Sequence, residues 1–201
     1  MNRCPMIESQ RIHAREKVMS AQRIRFAAAV LAATLLLTAC AGVSPSDYEE
    51  ETPTFLIEEY FDGQVKAWGM FQTRNGKVQR RFTVDIDGQV EGDRIVLDEH
   101  FVYDDGSTER RVWEIDRLDE QTYTGRAGDI VGTASGTRSG NALNWVYVLA
   151  LDVGDRTWNL TFNDWMYLID DEVLINTADV TKFGFRVGRV TLFFQRQPTA
   201  D

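Results

Sequence analysis

After the first third of the chain, apolar and polar residues alternate in short runs that end at glycine turns. Within 78–86, the residues Phe82, Val84 and Ile86 share one face, and polar residues occupy the other. A period of two indicates a strand with one buried face. The preceding Asn75-Gly76 is a dipeptide typical of two-residue hairpin turns, in which both residues adopt a positive φ. The pattern predicts consecutive antiparallel strands.

The whole pattern predicts an all-β domain with little helix. A short helix or turn is expected over 55–61, and 179–188 fits neither period. An antiparallel meander of about ten strands closes into a barrel or folds into a two-layer sandwich. We favour the barrel, because an open meander leaves two exposed edges. Strands are predicted at 64–73, 77–86, 94–103, 108–117, 121–127, 129–137, 142–152, 156–163, 165–170, 172–178 and 189–196.

The segment 142–151 is apolar on both faces. Leu143, Trp145 and Tyr147 alternate with Val146 and Val148. A strand of this kind is covered on both sides. We therefore expect either that a flanking segment, for which 179–188 is the candidate, packs outside the barrel here, or that this face meets a membrane or a partner. The glycine-rich run 128–140 is not followed by a helical pattern, which indicates bulges or tight bends rather than a phosphate loop.

The chain begins with the features of an export signal. Arg23 and Arg25 precede an apolar run, 26–37, that is too short to span a bilayer and fits the apolar core of a signal peptide. The run ends in the sequence Leu-Thr-Ala-Cys, which resembles the bacterial lipobox and implies lipidation of Cys40. We predict a signal peptide over 1–39 (with Met19 as a possible start), a lipidated cysteine and flexible acidic tether over 40–54, and a β-barrel domain over 55–201.

Charge restricts the partners of the exported part. Six basic and two acidic residues precede Cys40, which leaves 16 basic and 29 acidic residues, or about −13, from Cys40 onward. No nucleic-acid partner is expected, because neutralising phosphates requires a basic surface. An acidic body is also repelled by anionic lipids, so membrane attachment is assigned to the lipid on Cys40. Ala41 after the cysteine implies, by resemblance to lipoprotein sorting rules, an outer-membrane lipoprotein whose domain faces the periplasm of the cell envelope.

Several motifs together resemble an uncharacterised family of proteobacterial lipoproteins, a domain of unknown function, over nearly all the exported chain. They are Gly63–Gly69, Tyr103–Gly106, Arg111–Trp113, Gly140–Trp145, Asp164–Met166 and Lys182–Gly184. The resemblance brings no established activity. The early strand with glycine and tryptophan is also similar to lipocalins, although its spacing differs from their tighter Gly-x-Trp, and it implies a lipocalin/calycin-like barrel.

Two charged residues fall on predicted inward faces. Glu99 alternates with Leu97 and Phe101, and Arg111 shares a face with Trp113 on the next strand. The hairpin turn between the two strands brings Glu99 and Arg111 close together. Buried charges of this kind are paired or protonated. The pair either orients the polar head of a ligand, for example a fatty-acid carboxylate on Arg111, or is a structural ion pair.

Other polar residues give weaker indications. His100 is expected on an exposed strand face, and Asp164, Asp170 and Asp171 are expected to be solvated turn residues. The exported part contains one histidine and one cysteine, so no metal site and no cofactor is predicted. No catalytic residue is assigned, because neither a nucleophile motif nor a cofactor loop is present. Asn144, Asn176 and Lys182 either line a cavity or satisfy backbone groups.

The sequence leaves three hypotheses for function, and the first depends on the aromatic residues. All five tryptophans lie after Cys40, and they either fill the barrel or line a cavity. The first hypothesis is a module that binds a lipid, fatty acid or other apolar molecule, with Glu99, Arg111, Trp113, Trp145 and Tyr147 as ligand-binding residues. The second is a structural or assembly lipoprotein that docks on an envelope protein. The third, with least support, is an enzyme acting on envelope lipids through Glu99 or His100.

Overall fold

The computed structural model describes residues 42–198, so the predicted signal peptide and Cys40 lie outside the described residues. The residues from Ser44 onward form one compact unit, which contains all ten strands of the described part of the chain. Because this unit has its own core and its own closed sheet, it meets the requirements of a domain that folds alone. Within 42–198 no helix is both long enough and apolar enough to cross a membrane.

Ten antiparallel strands form one closed barrel, in which strands adjacent in sequence pair with each other and β1 pairs with β10 to close the sheet. The prediction of an all-β meander closed into a barrel with little helix is confirmed. A 3₁₀ helix (Pro45–Tyr48) and the one-turn helix α1 (Ile57–Tyr60) precede the sheet. The strands are β1 (Gly63–Thr73), β2 (Val78–Glu91), β3 (Arg94–Tyr103), β4 (Thr108–Arg117), β5 (Thr122–Arg126), β6 (Ala134–Ser139), β7 (Ala142–Val153), β8 (Arg156–Leu168), β9 (Val173–Lys182) and β10 (Phe185–Arg196).

Three strand predictions are corrected. The predicted strands 156–163 and 165–170 are one strand, β8, which continues through Asp164 because that residue pairs with Trp145 of β7 and Ala178 of β9. The strand predicted at 129–137 starts later, at Ala134. The segment 179–188 lies in the wall as the ends of β9 and β10, with β9 alongside β8, so it does not cover β7.

One end of the barrel is closed by the segment that enters β1. Phe55, Ile57, Tyr60 and Phe61 are buried there and belong to the hydrophobic core. Gly88 of β2 allows this segment to pack against the sheet, since a Cβ atom at that position would collide with the backbone carbonyl of Phe61. The prediction of a helix or turn over 55–61 is therefore confirmed, and the segment serves as the base of the barrel.

A partly buried ion pair ties the base to the wall. Glu58 of α1 accepts a hydrogen bond of 2.6 Å from Arg117 and another of 2.9 Å from the hydroxyl of Tyr123. Burial raises the pKa of Glu58, but a backbone hydrogen bond and these two side chains outweigh it, so the net pKa lies below the usual value. The carboxylate of Glu58 is therefore ionised at neutral pH and fixes α1 across this end.

The flexible tether expected over 40–54 is corrected from Ser44 onward. Residues 45–48 form the 3₁₀ helix, and the hydroxyl of Tyr48 donates a hydrogen bond of 3.2 Å to that of Tyr167 on β8. The ring of Tyr48 also packs against Trp165 with 5.8 Å between centroids. The composition of 44–54 is polar, and the segment is ordered by these few aromatic contacts with the outer wall.

Two strand glycines make room for an aromatic side chain inside the barrel. The ring of Trp145 on β7 lies against Gly136 of the neighbouring strand β6 and against Gly125 of β5. A Cβ atom at either glycine would come within 3.0 Å of that ring. Glycine weakens a strand because it adds backbone entropy to the unfolded chain. Here the packing of a buried indole compensates for that cost.

We expect Gly136→Ala to lower the free energy of unfolding by about 1–3 kcal/mol, the usual effect of overpacking a core. The added methyl group overlaps the Trp145 ring, which is rigid and buried. Chemical denaturation monitored by tryptophan fluorescence measures the change. Gly128→Ala is the matched control, since its added Cβ atom meets nothing within 4 Å, and its effect should stay within about 0.5 kcal/mol. Equal stability of the two variants would contradict this packing.

Candidate functional site

The barrel encloses a cavity of about 540 Å³. Ile57 and Phe61 of the base line it at one end, and Arg80 and Asp105 line it near the hairpin turns at the other. Side chains of a ten-stranded barrel do not fill the interior completely, because barrel diameter grows with strand number. The space is therefore a deep pocket with a closed base and a mouth at the end that carries the β1–β2 and β3–β4 turns.

Aromatic rings form one wall of the cavity. Trp113 packs edge-on against Trp145, with 5.7 Å between ring centroids, and against Tyr147, with 5.4 Å. Tyr147 stacks on Phe162 at 5.1 Å. All four side chains line the cavity. The remaining tryptophans do not, since Trp68, Trp158 and Trp165 are absent from the lining.

Glu99 and Arg111 face the cavity side by side. They are directly paired across β3 and β4, and Glu99 Oε2 lies 3.8 Å from Arg111 Nη1. Both side chains are largely buried, at 14% and 13% exposure. The sequence interpretation that the hairpin brings these two charges together on the inward face agrees with this geometry.

Two further carboxylates, which sequence reasoning missed, bind the same guanidinium. Asp129 accepts a hydrogen bond of 2.9 Å from Arg111 Nε and lies 2.8 Å from Nη2. Glu109 accepts a hydrogen bond of 3.1 Å from Nη2. Glu109 lies on β4, two residues before Arg111, so the alternation contains a signal for it. Asp129 lies in the β5–β6 connection, where no pattern indicates the direction of its side chain.

Asp164 and Asn176 form a second polar group in the cavity lining, on β8 and β9. Asn176 Nδ2 donates a hydrogen bond of 3.0 Å to Asp164 Oδ2. The other oxygens, Asp164 Oδ1 and Asn176 Oδ1, are buried and have no hydrogen-bond partner among residues 42–198. The expectation that Asp164 is a solvated turn residue is wrong, since the residue lies within β8 and is 5% exposed. Its alternation with apolar Phe162 and Met166 was the available signal.

The surroundings of Glu99 and Asp164 change the pKa of both carboxyl groups. Burial raises the pKa of Glu99 to about 7; Arg111 opposes this, and Asp129, Glu109 and Asp164 reinforce it. Burial also raises the pKa of Asp164 to about 7, against the hydrogen bond from Asn176 and the charge of Arg111. Both groups therefore exchange a proton near neutral pH, whereas ordinary surface carboxylates stay ionised there.

The other polar candidates lie elsewhere. His100 is on the outer face of β3, 57% exposed and 3.3 Å from Asp98, so it does not meet the cavity. Asp170 is a turn residue, as expected, and accepts hydrogen bonds from the backbone N–H groups of Glu172 and Val173. Across residues 42–198, no three His, Cys, Asp or Glu side chains have the arrangement of a metal site.

One side of the mouth combines basic and aromatic residues. The adjacent hairpin ends 73–78 and 182–186 form this lip, through the pairing of β1 with β10. Phe183 and Phe185 are 89% and 73% exposed, the most exposed large apolar residues in the part of the chain that the structure describes. No acidic residue occurs in either segment, and the basic ones are Arg74, Lys77, Lys182 and Arg186. This lip is locally basic in an acidic domain.

Comparisons with known proteins agree with the fold and leave the activity open. A family described as "Protein of unknown function (DUF3833)" matches residues 34–196. A search of curated proteins gives no match. Among solved structures, the S-type phycobiliprotein lyase CPES from Guillardia theta matches with a TM-score of 0.50 and 10% identity, covering 71% of this chain and 92% of that one. This similarity shows a shared calycin-like barrel and no more.

The raised pKa values predict an unusual pH dependence of stability. Glu99 and Asp164 keep their protons up to about pH 7 in the folded protein and lose them near pH 4 when unfolded. Between these limits the folded state binds more protons, so the free energy of unfolding falls as pH rises, by about 1.4 kcal/mol per pH unit for each group at most. Denaturation at pH 5, 6 and 7 measures the slope. Glu99→Gln and Asp164→Asn should each reduce it, and an unchanged slope in both would contradict these pKa values.

Proposed function

The chain belongs to the DUF3833 family of proteins of unknown function, and we propose that its barrel binds an amphipathic apolar molecule, of lipid size and character. The observation that carries this proposal is the cavity of about 540 Å³. Its volume falls within the range of small-molecule pockets, which are typically concave, mostly apolar and supplied with a few polar groups. No covalent chemistry is required of the site.

The arrangement of the lining supports this ligand class. The aromatic wall of Trp113, Trp145 and Tyr147 offers apolar surface to a chain or ring. Glu99, Arg111 and Asp164 place polar groups among these rings, where they interact with the polar end of the same molecule. A ligand with one apolar and one polar part satisfies both regions, whereas a pure hydrocarbon offers no donor to the buried oxygens Asp164 Oδ1 and Asn176 Oδ1.

We also propose that the domain works at a membrane. The motif before Cys40 supports a lipid anchor, and Ala41 supports the outer membrane with the domain facing the periplasm. The lip formed by 73–78 and 182–186 supports exchange of ligand with a bilayer. Exposed aromatic rings enter the interfacial region, and basic side chains approach anionic headgroups.

Docking on an envelope protein is the second candidate function. It is favoured by the exposed aromatic pair on the outer wall, Trp68 and Phe193, each 40% exposed, with 5.9 Å between ring centroids. The apolar outer face of β7 is a separate candidate surface, because β8 and β9 lie between β7 and β10. An enzymatic role has weaker support, because of its two candidate groups only Glu99 lines the cavity, and His100 lies outside.

The anchor predicts that Cys40→Ala abolishes acylation. Cells grown with radiolabelled palmitate should incorporate label into the parent chain and none into the variant, because the thiol is the acceptor. The variant should also leave the membrane fraction or keep its unprocessed leader. Cys4→Ala is the control and should incorporate label normally. Equal labelling of the parent chain and Cys40→Ala would contradict the anchor.

The cavity predicts that the unit beginning at Ser44 takes up the neutral fluorescent probe N-phenylnaphthylamine, and that it carries a lipid-sized molecule in native mass spectrometry. Val190→Trp should weaken both, since Val190 lines the cavity and an indole there occupies part of it. Val102→Trp is the matched control, because Val102 is 45% exposed on the outer face of β3. Absence of uptake by the parent domain would overturn the proposal and favour docking on a protein.

A further inference from the structure

The polar part of the cavity lining, around Glu99, Arg111 and Asp164, carries an excess of acidic groups. Four carboxyl groups interact there: Glu99, Glu109, Asp129 and Asp164. The cation that contacts them is Arg111, and two phenols are close by: Tyr147, and Tyr103, whose hydroxyl donates a hydrogen bond of 2.7 Å to Glu109. With all carboxyl groups ionised, the cluster has a net charge of −3. This balance follows from the fold, because the groups come from β3, β4, the β5–β6 connection and β8.

Arg111 has little remaining capacity to bind an anion. Its Nε and Nη2 atoms already donate to Asp129 and Glu109, at 2.9 and 3.1 Å. The remaining nitrogen, Nη1, faces Glu99 at 3.8 Å. A ligand carboxylate placed against Nη1 would also lie beside the Glu99 carboxyl group, and like charges at such distances repel strongly in a low-dielectric site. The expected binding of a fatty-acid carboxylate by Arg111 has no support in this geometry.

The groups that lack partners are acceptors. Among residues 42–198, no group donates a hydrogen bond to the buried atoms Asp164 Oδ1 and Asn176 Oδ1, whose residues are 5% and 2% exposed. Within the same residues, the ion-pair contact of Glu99 is the one to Arg111 at 3.8 Å, which exceeds a hydrogen-bond distance. All three residues line the cavity. Buried acceptors without partners are costly, so the site is complementary to a ligand that brings donors.

We infer that the cavity selects an amphipathic molecule whose polar end is a primary amine, held by Glu99 and Asp164, and that it discriminates against carboxylates. The inference rests on the proposed function and names the chemistry of its ligand. An ammonium group brings three N–H donors and one positive charge, which meets the unpartnered acceptors and reduces the acidic excess. The faces of Trp113 and Tyr147 also attract a cation.

Three probes with the same apolar chain separate the possibilities: dodecylamine, dodecanol and dodecanoate. Each displaces N-phenylnaphthylamine from the unit beginning at Ser44, below its micellar concentration and at about pH 7.5. We expect dodecylamine to bind at least tenfold more tightly than dodecanoate, with dodecanol between them. Asp164→Asn and Glu99→Gln, which conserve shape, should each remove most of this preference by deleting one negative charge. Asp98→Asn is the control, because Asp98 precedes Glu99 on β3 and pairs with Arg110 outside the cavity.

The pH dependence adds a second readout. The amine needs ionised carboxylates, so its affinity should rise between about pH 6 and pH 8 as Glu99 and Asp164 lose their protons, while Arg111 stays charged. Tighter or equal binding of dodecanoate would overturn the inference and leave the proposed function intact. An amine preference that persists in both variants would also overturn it. Failure of all three probes and of N-phenylnaphthylamine would overturn the proposed function itself.

Discussion

Closure of the sheet is the constraint on which the rest of this structure depends. Pairing of β1 with β10 removes both edges of the meander, and it sends every second side chain of all ten strands into one shared interior. That interior is wide enough to leave a cavity after its side chains are placed. Phe55, Ile57 and Phe61 close one end, and the other end, which carries the β1–β2 and β3–β4 turns, forms the mouth.

The same constraint concentrates charge. An inward polar residue on any strand must share the interior with inward polar residues on all the others, so Glu99, Arg111 and Asp164 interact. Water is scarce there, and each ionised group needs a partner or a proton. Arg111 satisfies Asp129 and Glu109, while Glu99 and Asp164 keep raised pKa values. The polar part of the lining, around Glu99, Arg111 and Asp164, is thus acidic and rich in acceptors, and the rest of the lining is mainly apolar.

How far the sequence predicts the site depends on separation along the chain. The sequence predicts the meeting of Glu99 and Arg111 because one hairpin joins their strands, and period two places both on the same face. The sequence marks Asn176 as a polar residue in an apolar run, but it favours a turn for its partner Asp164. The polar pair Asn163-Asp164 interrupts an apolar alternation, and only pairing with β7 and β9 shows that the strand continues.

The sequence by itself determined the strand character, most hairpin turns, the inward faces and the acidic charge, because these depend on residues a few positions apart. Tertiary structure alone decided three features: the cavity, the packing of residues 44–54 against Tyr167, and the proximity of Asp129 and Asp164 to Arg111. Each brings together residues distant in sequence. Their proximity depends on strand number, tilt and closure, which are collective properties of the barrel and leave no local pattern.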